Sequence, residues 1–249
     1  MAQQRWNPEE YARNARFVSD LGQPVLDLLA PIPGERVLDL GCGDGVLTRR
    51  ILEMGCSVVA VDSSAEQVAA ARAQGLDARV EHAESLPFEG EFEAVFSNAV
   101  LHWVKDHDAM LTGVSRALVP GGRFVAELGG AGCVQEIRSA LHASLKGRGV
   151  DAGSLDPWFF PTRAEYEGLL RRHGFAIDSL ELFPRPTPLP GDISGWLETF
   201  AQPFLGGVPE DERRSVVDEV REALRPKLYA SDAGWVADYV RLRFRVRCS

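Results

Sequence analysis

Apolar and polar positions change period repeatedly along the chain, and each change marks an element. Between residues 8 and 29, Tyr11, Ala15, Val18, Leu21, Val25 and Leu28 recur at helical intervals, and Gly22 and Pro24 split the run into two helices. Pro31-Ile32-Pro33-Gly34 punctuates before a short aliphatic run over 36–40 that reads as a buried strand. A helix over 46–54 closed by Gly55, a strand over 57–61 and a helix over 65–73 follow. That second helix has Ser63 or Ser64 as its N-cap and Gln74-Gly75 as its stop. Further strands are predicted over 77–82, 92–97 and 123–128, with a helix over 107–118 closed by the turn Pro120-Gly121-Gly122.

Beyond residue 130 the pattern predicts a helix over 133–145 and a glycine-rich loop over 147–156. A helix over 162–173 opens on the capping box Thr162-Arg163-Ala164-Glu165. A strand over 175–183, a proline-rich stretch over 184–190, helices over 193–204 and 209–228 and one last strand over 235–246 complete the reading. In that last strand Arg241, Arg243, Arg245 and Arg247 alternate with apolar residues, which reads as one charged face on a solvated edge, the other reading being an anion site. Strands alternating with helices at this spacing predict a doubly wound α/β fold on a mostly parallel sheet, with right-handed crossovers.

Composition narrows the possibilities. The 249 residues suit one elaborated domain or one domain with a cap, and 45% hydrophobic with 25% charged residues is ordinary for a globular protein. No apolar stretch approaches the roughly 20 residues a membrane helix needs. The first ten residues lack a signal peptide's apolar core, so a cytoplasmic location is expected. A net charge of −9 argues against a nucleic-acid partner. Cys42, Cys56, Cys133 and Cys248 show no metal-ligand spacing, so no metal is expected and the thiols read as reduced.

The most specific signal is Val37-Leu38-Asp39-Leu40-Gly41-Cys42-Gly43-Asp44-Gly45 followed by Val58-Val59-Ala60-Val61-Asp62. Two buried strands each end on an acid, and a glycine loop opens a helix between them. A dinucleotide fingerprint places a third glycine at the sixth position. Counted from Gly41 that position is Val46, so the spacing is GxGxG. Asp62 is placed to accept from ribose hydroxyls, and as a bare strand end it would serve as a helix N-cap. Asp39 suits an ammonium and would repel a pyrophosphate, which favours S-adenosylmethionine over NAD. Cys42 inside the loop reads as a small residue that fits a tight turn.

From Trp6 onward the chain resembles the class I S-adenosylmethionine-dependent methyltransferases, within them the small-molecule branch that includes trans-aconitate methyltransferase. The glycine and ribose motifs above carry the resemblance, together with Ala83-Glu84-Ser85-Leu86-Pro87-Phe88, the stretch 96–103 and Leu118-Val119-Pro120-Gly121-Gly122. Trp6-Asn7-Pro8 with Tyr11 adds a weaker match. The resemblance implies a seven-stranded sheet of order 3-2-1-4-5-7-6 with strand 7 antiparallel. Residues 175–183 are then strand 6 and 235–246 strand 7. It also implies an N-terminal helical lid over 1–30, a cofactor-binding core over 31–130 and a small helical cap over 192–231.

For the cofactor, the resemblance implies contacts from Asp39, Gly41, Cys42, Gly43, Gly45, Asp62, Ser63, Gln67, Ala83, Glu84, Ser85, Asn98, Ala99 and Arg16. His82 stands where the family commonly has an Asp facing adenine, leaving the Ala83 amide and the Glu84 side chain for that role. For the acceptor it implies Trp6, Tyr11, Phe17, Trp103, Trp158 and Trp196. Arg163, Arg172 and Arg185 are open candidates for an acidic acceptor. His102, after the fourth strand, is the candidate general base, the other readings being a pocket contact or a structural role. The expected function is methyl transfer to a small molecule, at an oxygen and with a carboxylate as one acceptor class, by a monomer or weak homodimer. A non-catalytic cofactor-binding or assembly protein and an NAD-dependent oxidoreductase are the competing readings.

Overall fold

The computed structural model describes Gln4, Trp6 and residues 16–248, with side chains from Val18 onward apart from those first two. Tyr11 therefore lies outside the described residues, and of Arg16 and Phe17 only the helical backbone is described. Two helices, α1 (Arg16–Asp20) and α2 (Gln23–Leu29), precede β1 (Arg36–Leu40). The chain continues through α3 (Val46–Glu53), β2 (Ser57–Asp62), α4 (Ala65–Ala73), β3 (Ala78–Val80), β4 (Phe92–Asn98), α5 (His107–Ala117) and β5 (Leu118–Gly129). Ser64 is the α4 cap, its hydroxyl accepting from the Gln67 amide at 3.2 Å.

The principal sheet has seven strands in the order β3-β2-β1-β4-β5-β10-β6, where β6 is Phe175–Pro184 and β10 is Val240–Cys248. Strands β1 to β5 pair in parallel and β10 runs antiparallel to β5. This is the order and the single reversed strand that the resemblance implied. Both faces are buried, so apolar residues of both parities are needed along each strand. Leu38, Val59, Val95, Phe124, Ala126, Leu242 and Phe244 face α5 and the helix α7 (Arg163–Arg172). Val37, Val58, Ala94, Phe96 and Val125 face α2 and α3, against Val25, Leu26, Leu29, Leu47 and Ile51.

The second of these faces changes character along its length. Its apolar residues give way, toward the C-terminal ends of the parallel strands, to Asp39 on β1, Asn98 on β4, Glu127 on β5 and Arg241 and Arg243 on β10. Register fixes the neighbours: Asn98 stands opposite Glu127, Glu127 opposite Arg243 and Gly129 opposite Arg241. Ligands of open α/β sheets bind beyond these strand ends.

Several boundaries depart from expectation. The predicted last strand is two, β9 (Gly234–Ala237) and β10, separated at Asp238-Tyr239. Asp238 is needed elsewhere: its carboxylate accepts from the Glu136 amide at 2.8 Å, at the start of α6 (Gln135–Lys146). Strand β5 begins at Leu118 and so takes in the predicted Pro-Gly-Gly turn. The alternating arginines do not form a solvated edge. Strand β10 lies between β5 and β6, and Arg241 is 2% exposed.

The chain divides into two compact units. One holds 18–131, 159–183 and 241–249, with the principal sheet's core. The other draws on residues before 18, on 132–158 and on 184–240. It contains α6, α8 (Ile193–Phe200), α9 (Gln202–Leu205), α10 (Arg213–Leu228) and a three-stranded sheet of β7 (Thr187–Pro188), β9 and β8 (Tyr229–Ala230). Its interior is aromatic. Trp158 packs 6.0 Å from Trp196 and 5.5 Å from Phe204, and Trp196 lies 5.1 Å from Phe200.

Candidate active site

The glycine loop is held by its own strands. The amides of Gly41 and Cys42 both donate to the Val61 carbonyl, at 2.7 and 3.0 Å, which folds the loop back over β2. Gly41 has φ +82°, and a Cβ there would lie 2.2 Å from the Val100 side chain, so no other residue fits. Gly43 has φ +55° but open space where its Cβ would be. Its amide donates to Asp62 at 3.0 Å, and the other Asp62 oxygen accepts from Ser64 at 2.9 Å. Asp62 is thus oriented at the open side of the loop. Burial raises its pKa, against the opposing pull of these two amides.

Asp39 is more deeply placed. On the α2/α3 face of β1 it is 2% exposed and accepts from the Thr48 hydroxyl of α3 at 2.6 Å. Burial pushes its carboxyl up to about 7, with the nearby Asp62 charge adding to the rise. The same burial, with both acids beside it, drives the Cys42 thiol far above its ordinary range, so this cysteine is inert. Gln67, on the first turn of α4, is buried and its side-chain carbonyl oxygen has no hydrogen-bond partner.

Beyond β3, Ala83–Ser85 form one three-ten turn opened by His82. The Glu84 carboxylate accepts from the Lys105 and Asp106 amides at 3.1 and 3.4 Å, so one of its oxygens fastens the turn to the loop before α5. The Asn98 amide donates to the Val18 carbonyl of α1 at 3.2 Å and ties that helix to the end of β4. Ala99 then takes φ +59°, unusual for a residue with a Cβ, and donates to the Glu127 carbonyl at 2.7 Å. Such strain is typical of functional strand ends.

A three-ten turn at Leu101–Trp103 presents His102. Its Nδ1 accepts from the Gly129 amide at 3.2 Å, which puts the ring proton on Nε2. The ring lies 5.6 Å from Trp103 and 5.8 Å from Phe160. Burial, then the Arg241 charge and His107, hold its pKa well below the imidazole range. Beside it Glu127, fully buried, accepts twice from Arg243, at 2.9 and 2.7 Å, and has Arg241 Nε at 3.8 Å.

The structure thus brings together Asp39, the glycine loop, Asp62, Asn98 and Ala99 at the strand ends, with His102 past β4. Trp158 and Trp196 are 8% and 3% exposed within the aromatic interior of the other unit, where the Trp196 indole donates to Tyr239 at 2.7 Å. Trp6 packs 6.2 Å from Phe200 in that same unit. Arg172 is an exposed side chain 3.9 Å from Asp108. Thr48 and Glu127 escaped sequence reasoning, which read Arg241 and Arg243 as a solvated edge or an anion site and not as partners of a buried acid. The available signal was Glu127 itself, a lone acid inside an apolar strand, since buried carboxylates need partners.

A methyltransferase-domain family model matches residues 38–126, the span that contains this loop and these strand ends. An uncharacterized methyltransferase of Schizosaccharomyces pombe is 37% identical over 98% of this chain and 98% of its own. This chain belongs to the class I S-adenosylmethionine-dependent methyltransferases. A trans-aconitate 2-methyltransferase of Mycobacterium sp. strain KMS is 37% identical to this methyltransferase over 71% of the chain and 72% of its own. Among solved structures, a Bacillus halodurans chain superposes with a TM-score of 0.65 at 19% identity, covering 92% of this chain and 98% of that one. A geranyl diphosphate C-methyltransferase from Streptomyces coelicolor, in complex with S-adenosyl-L-homocysteine, does so at 0.56 and 18% identity, covering 94% and 80%. At such identities these two show the fold alone. The methyltransferase's cofactor is S-adenosylmethionine, and the open loop at Gly43, the oriented Asp62 and the orphaned Gln67 oxygen fit a polar ligand of this kind. Among the described residues no helix is long and apolar enough to cross a membrane, and no group of metal ligands is present.

Proposed function

We propose that the methyltransferase acts on a small molecule, at an oxygen, with a carboxylate as the acceptor group. The observation that carries this reading is the cluster past β4 and β5, where neutral His102 stands beside buried Arg241. A cation and a neutral donor suit an anionic oxygen. The trans-aconitate 2-methyltransferase relative supports the same acceptor class.

In the same reading Asp62 accepts from the ribose hydroxyls and Asp39 faces the ammonium. Gly41, Cys42, Gly43 and Gly45 form the loop around the amino-acid part, with Asn98 and Ala99 at its far side. Ser63 and Gln67 line the ribose side, and Ala83, Glu84 and Ser85 border the adenine. When bound, S-adenosylmethionine supplies a methyl group on a sulfonium, displaced in line to leave a neutral sulfide. A carboxylate nucleophile is already ionised at pH 7, so the residues need only bind, orient and exclude water.

Calorimetry with S-adenosylhomocysteine on wild type and Asp62→Ala tests the cofactor site. The expected result is binding that the substitution weakens by about 100-fold, the loss of two charge-assisted hydrogen bonds. An acceptor panel headed by trans-aconitate, read as S-adenosylhomocysteine release, tests the rest. Turnover confined to amines or thiols would sink the oxygen acceptor.

A further inference from the structure

Methyl transfer to oxygen or nitrogen acceptors is often assigned a histidine as base, and a base needs a free lone pair. In this protein the Nδ1 lone pair of His102 is taken by the Gly129 amide at 3.2 Å, and Nε2 carries the proton. Among the described residues Nε2 makes no hydrogen bond. Gly129 is fixed by β5 pairing, and the residue opposite it across the sheet is Arg241. The imidazole is confined between Trp103 and Phe160 and is 8% exposed.

We propose that His102 is a fixed hydrogen-bond donor through Nε2–H, set in that tautomer by the Gly129 amide, and that Arg241, opposite Gly129 across the sheet, is the positioning residue that reinforces the effect of burial on the ring. This deepens the reading of an oxygen acceptor and rests on it. The Arg241 guanidinium, buried to 2% exposure, makes a second positive charge on the imidazole costly. Its Nε lies 3.8 Å from Glu127, whose carboxylate also accepts from Arg243. The other charged and titratable groups around the ring are few. His107 on α5 adds to the effect when protonated. No proton leaves or reaches His102 during transfer. Its role is to orient an acceptor oxygen whose own electron pair forms the new bond to carbon.

The consequence is a division of labour. A donor fixed in one tautomer selects acceptors that arrive already deprotonated, because it can stabilise an oxyanion but cannot create one. Acceptors that must lose a proton at pH 7, such as aliphatic alcohols, are excluded by the same geometry.

The first test uses the whole ligand-free protein and long-range ¹H–¹⁵N NMR of its imidazoles, with His102→Gln identifying the signal. The expected spectrum has His102 as the Nε2–H tautomer, protonating only below the ordinary imidazole range. An Nδ1–H tautomer, or protonation near pH 6.5, would overturn the proposal whatever the acceptor proves to be. Arg241→Met is expected to raise the His102 pKa, and Arg241→Lys to leave it low. Equal values in all three proteins would remove Arg241 from the role. If Arg241→Met does not fold, the wild-type and Arg241→Lys titrations still decide the tautomer and the charge state. With trans-aconitate as the probe acceptor, kcat/KM is expected to stay flat from pH 6 to 8 once cofactor is saturating. His102→Gln, which keeps an N–H at similar reach, should retain it within about tenfold, where His102→Phe loses about 100-fold. A basic limb in wild type that vanishes in His102→Gln would restore the general base. No turnover of trans-aconitate would count against the carboxylate acceptor, while the NMR result would still stand or fall by itself.

Discussion

The polar row along the sheet's strand ends has two halves built in opposite ways. At β1 and β2 the charged groups are both acids, and their partners are two amides and a hydroxyl. At β5 and β10 one acid is set between two arginines, and the imidazole nearby is neutral. The first half has acids without a cation, and burial raises the pKa of both. In the second the acid is compensated within the cluster, which keeps one positive charge in excess. An apo site that keeps its acids under-compensated is stabilised when a cationic ligand arrives, whereas a compensated cluster contributes to the fold with or without one.

Three substitutions sharpen this contrast. Glu127→Ala strikes the compensated half and should have the largest effect. It strips the carboxylate from the buried Arg241 and the half-buried Arg243, at a cost of about 3–5 kcal/mol in urea denaturation, with or without S-adenosylhomocysteine. If the loss were under about 1 kcal/mol, the cluster would not be a stabilising one.

Asp39→Asn strikes the under-compensated half and should do the reverse. The folded-state pKa of Asp39, about 7, lies above the ordinary 3.8. Between those values the folded protein holds a proton that the unfolded chain has lost, so the stability this group contributes falls as pH rises through 7. The full effect is on the order of 4 kcal/mol, and an amide escapes it. Asp39→Asn should therefore be more stable than wild type at pH 8, nearly equal to it at pH 4, and weaker for S-adenosylhomocysteine throughout. Wild-type affinity should also rise with pH up to about 7, where Asp39 ionises. Equal stability at pH 8 would show that Asp39 is not held protonated.

Gly43→Ala has the smallest expected effect on the fold. The added methyl meets open space, so only the strain of φ +55° is felt, about 1 kcal/mol in thermal melts. If that space belongs to the ligand, calorimetry should show at least a tenfold loss of S-adenosylhomocysteine affinity, and unchanged affinity would place the ligand elsewhere.

The same two halves differ in how far the sequence discloses them. Asp39, the glycines, Ser64 and Asp62 belong to one strand–loop–strand segment, so their geometry follows from local rules and was readable residue by residue. Sheet order was also legible, through the resemblance. The pairing of Glu127 with Arg243 spans 116 positions and depends on strand register, which no local pattern supplies. The alternating arginines fitted a solvated edge strand equally well, and only the burial of β10 between two neighbours decides against it. Trp158 and Trp196 show a different limit. Aromatic residues at helical or irregular spacing look the same whether they line a pocket or fill an interior. The break at Asp238 falls where the apolar positions shift by one, from Trp235, Ala237 and Tyr239 to Leu242, Phe244 and Val246, and its partner is the distant start of α6.

The position of β10 also constrains the order of assembly. In sequence it is the last strand of the sheet, yet in space it is next to last, with β6 beyond it. A nascent chain that has emerged only as far as residue 239 would carry β5 with one open edge, β6 with no neighbour in the sheet, and Glu127 without either arginine. Closure of the sheet and neutralisation of its buried acid thus become one late event. The five-strand half can form early from contacts close in sequence, while the final pairing waits on a long loop closure and should set the folding rate.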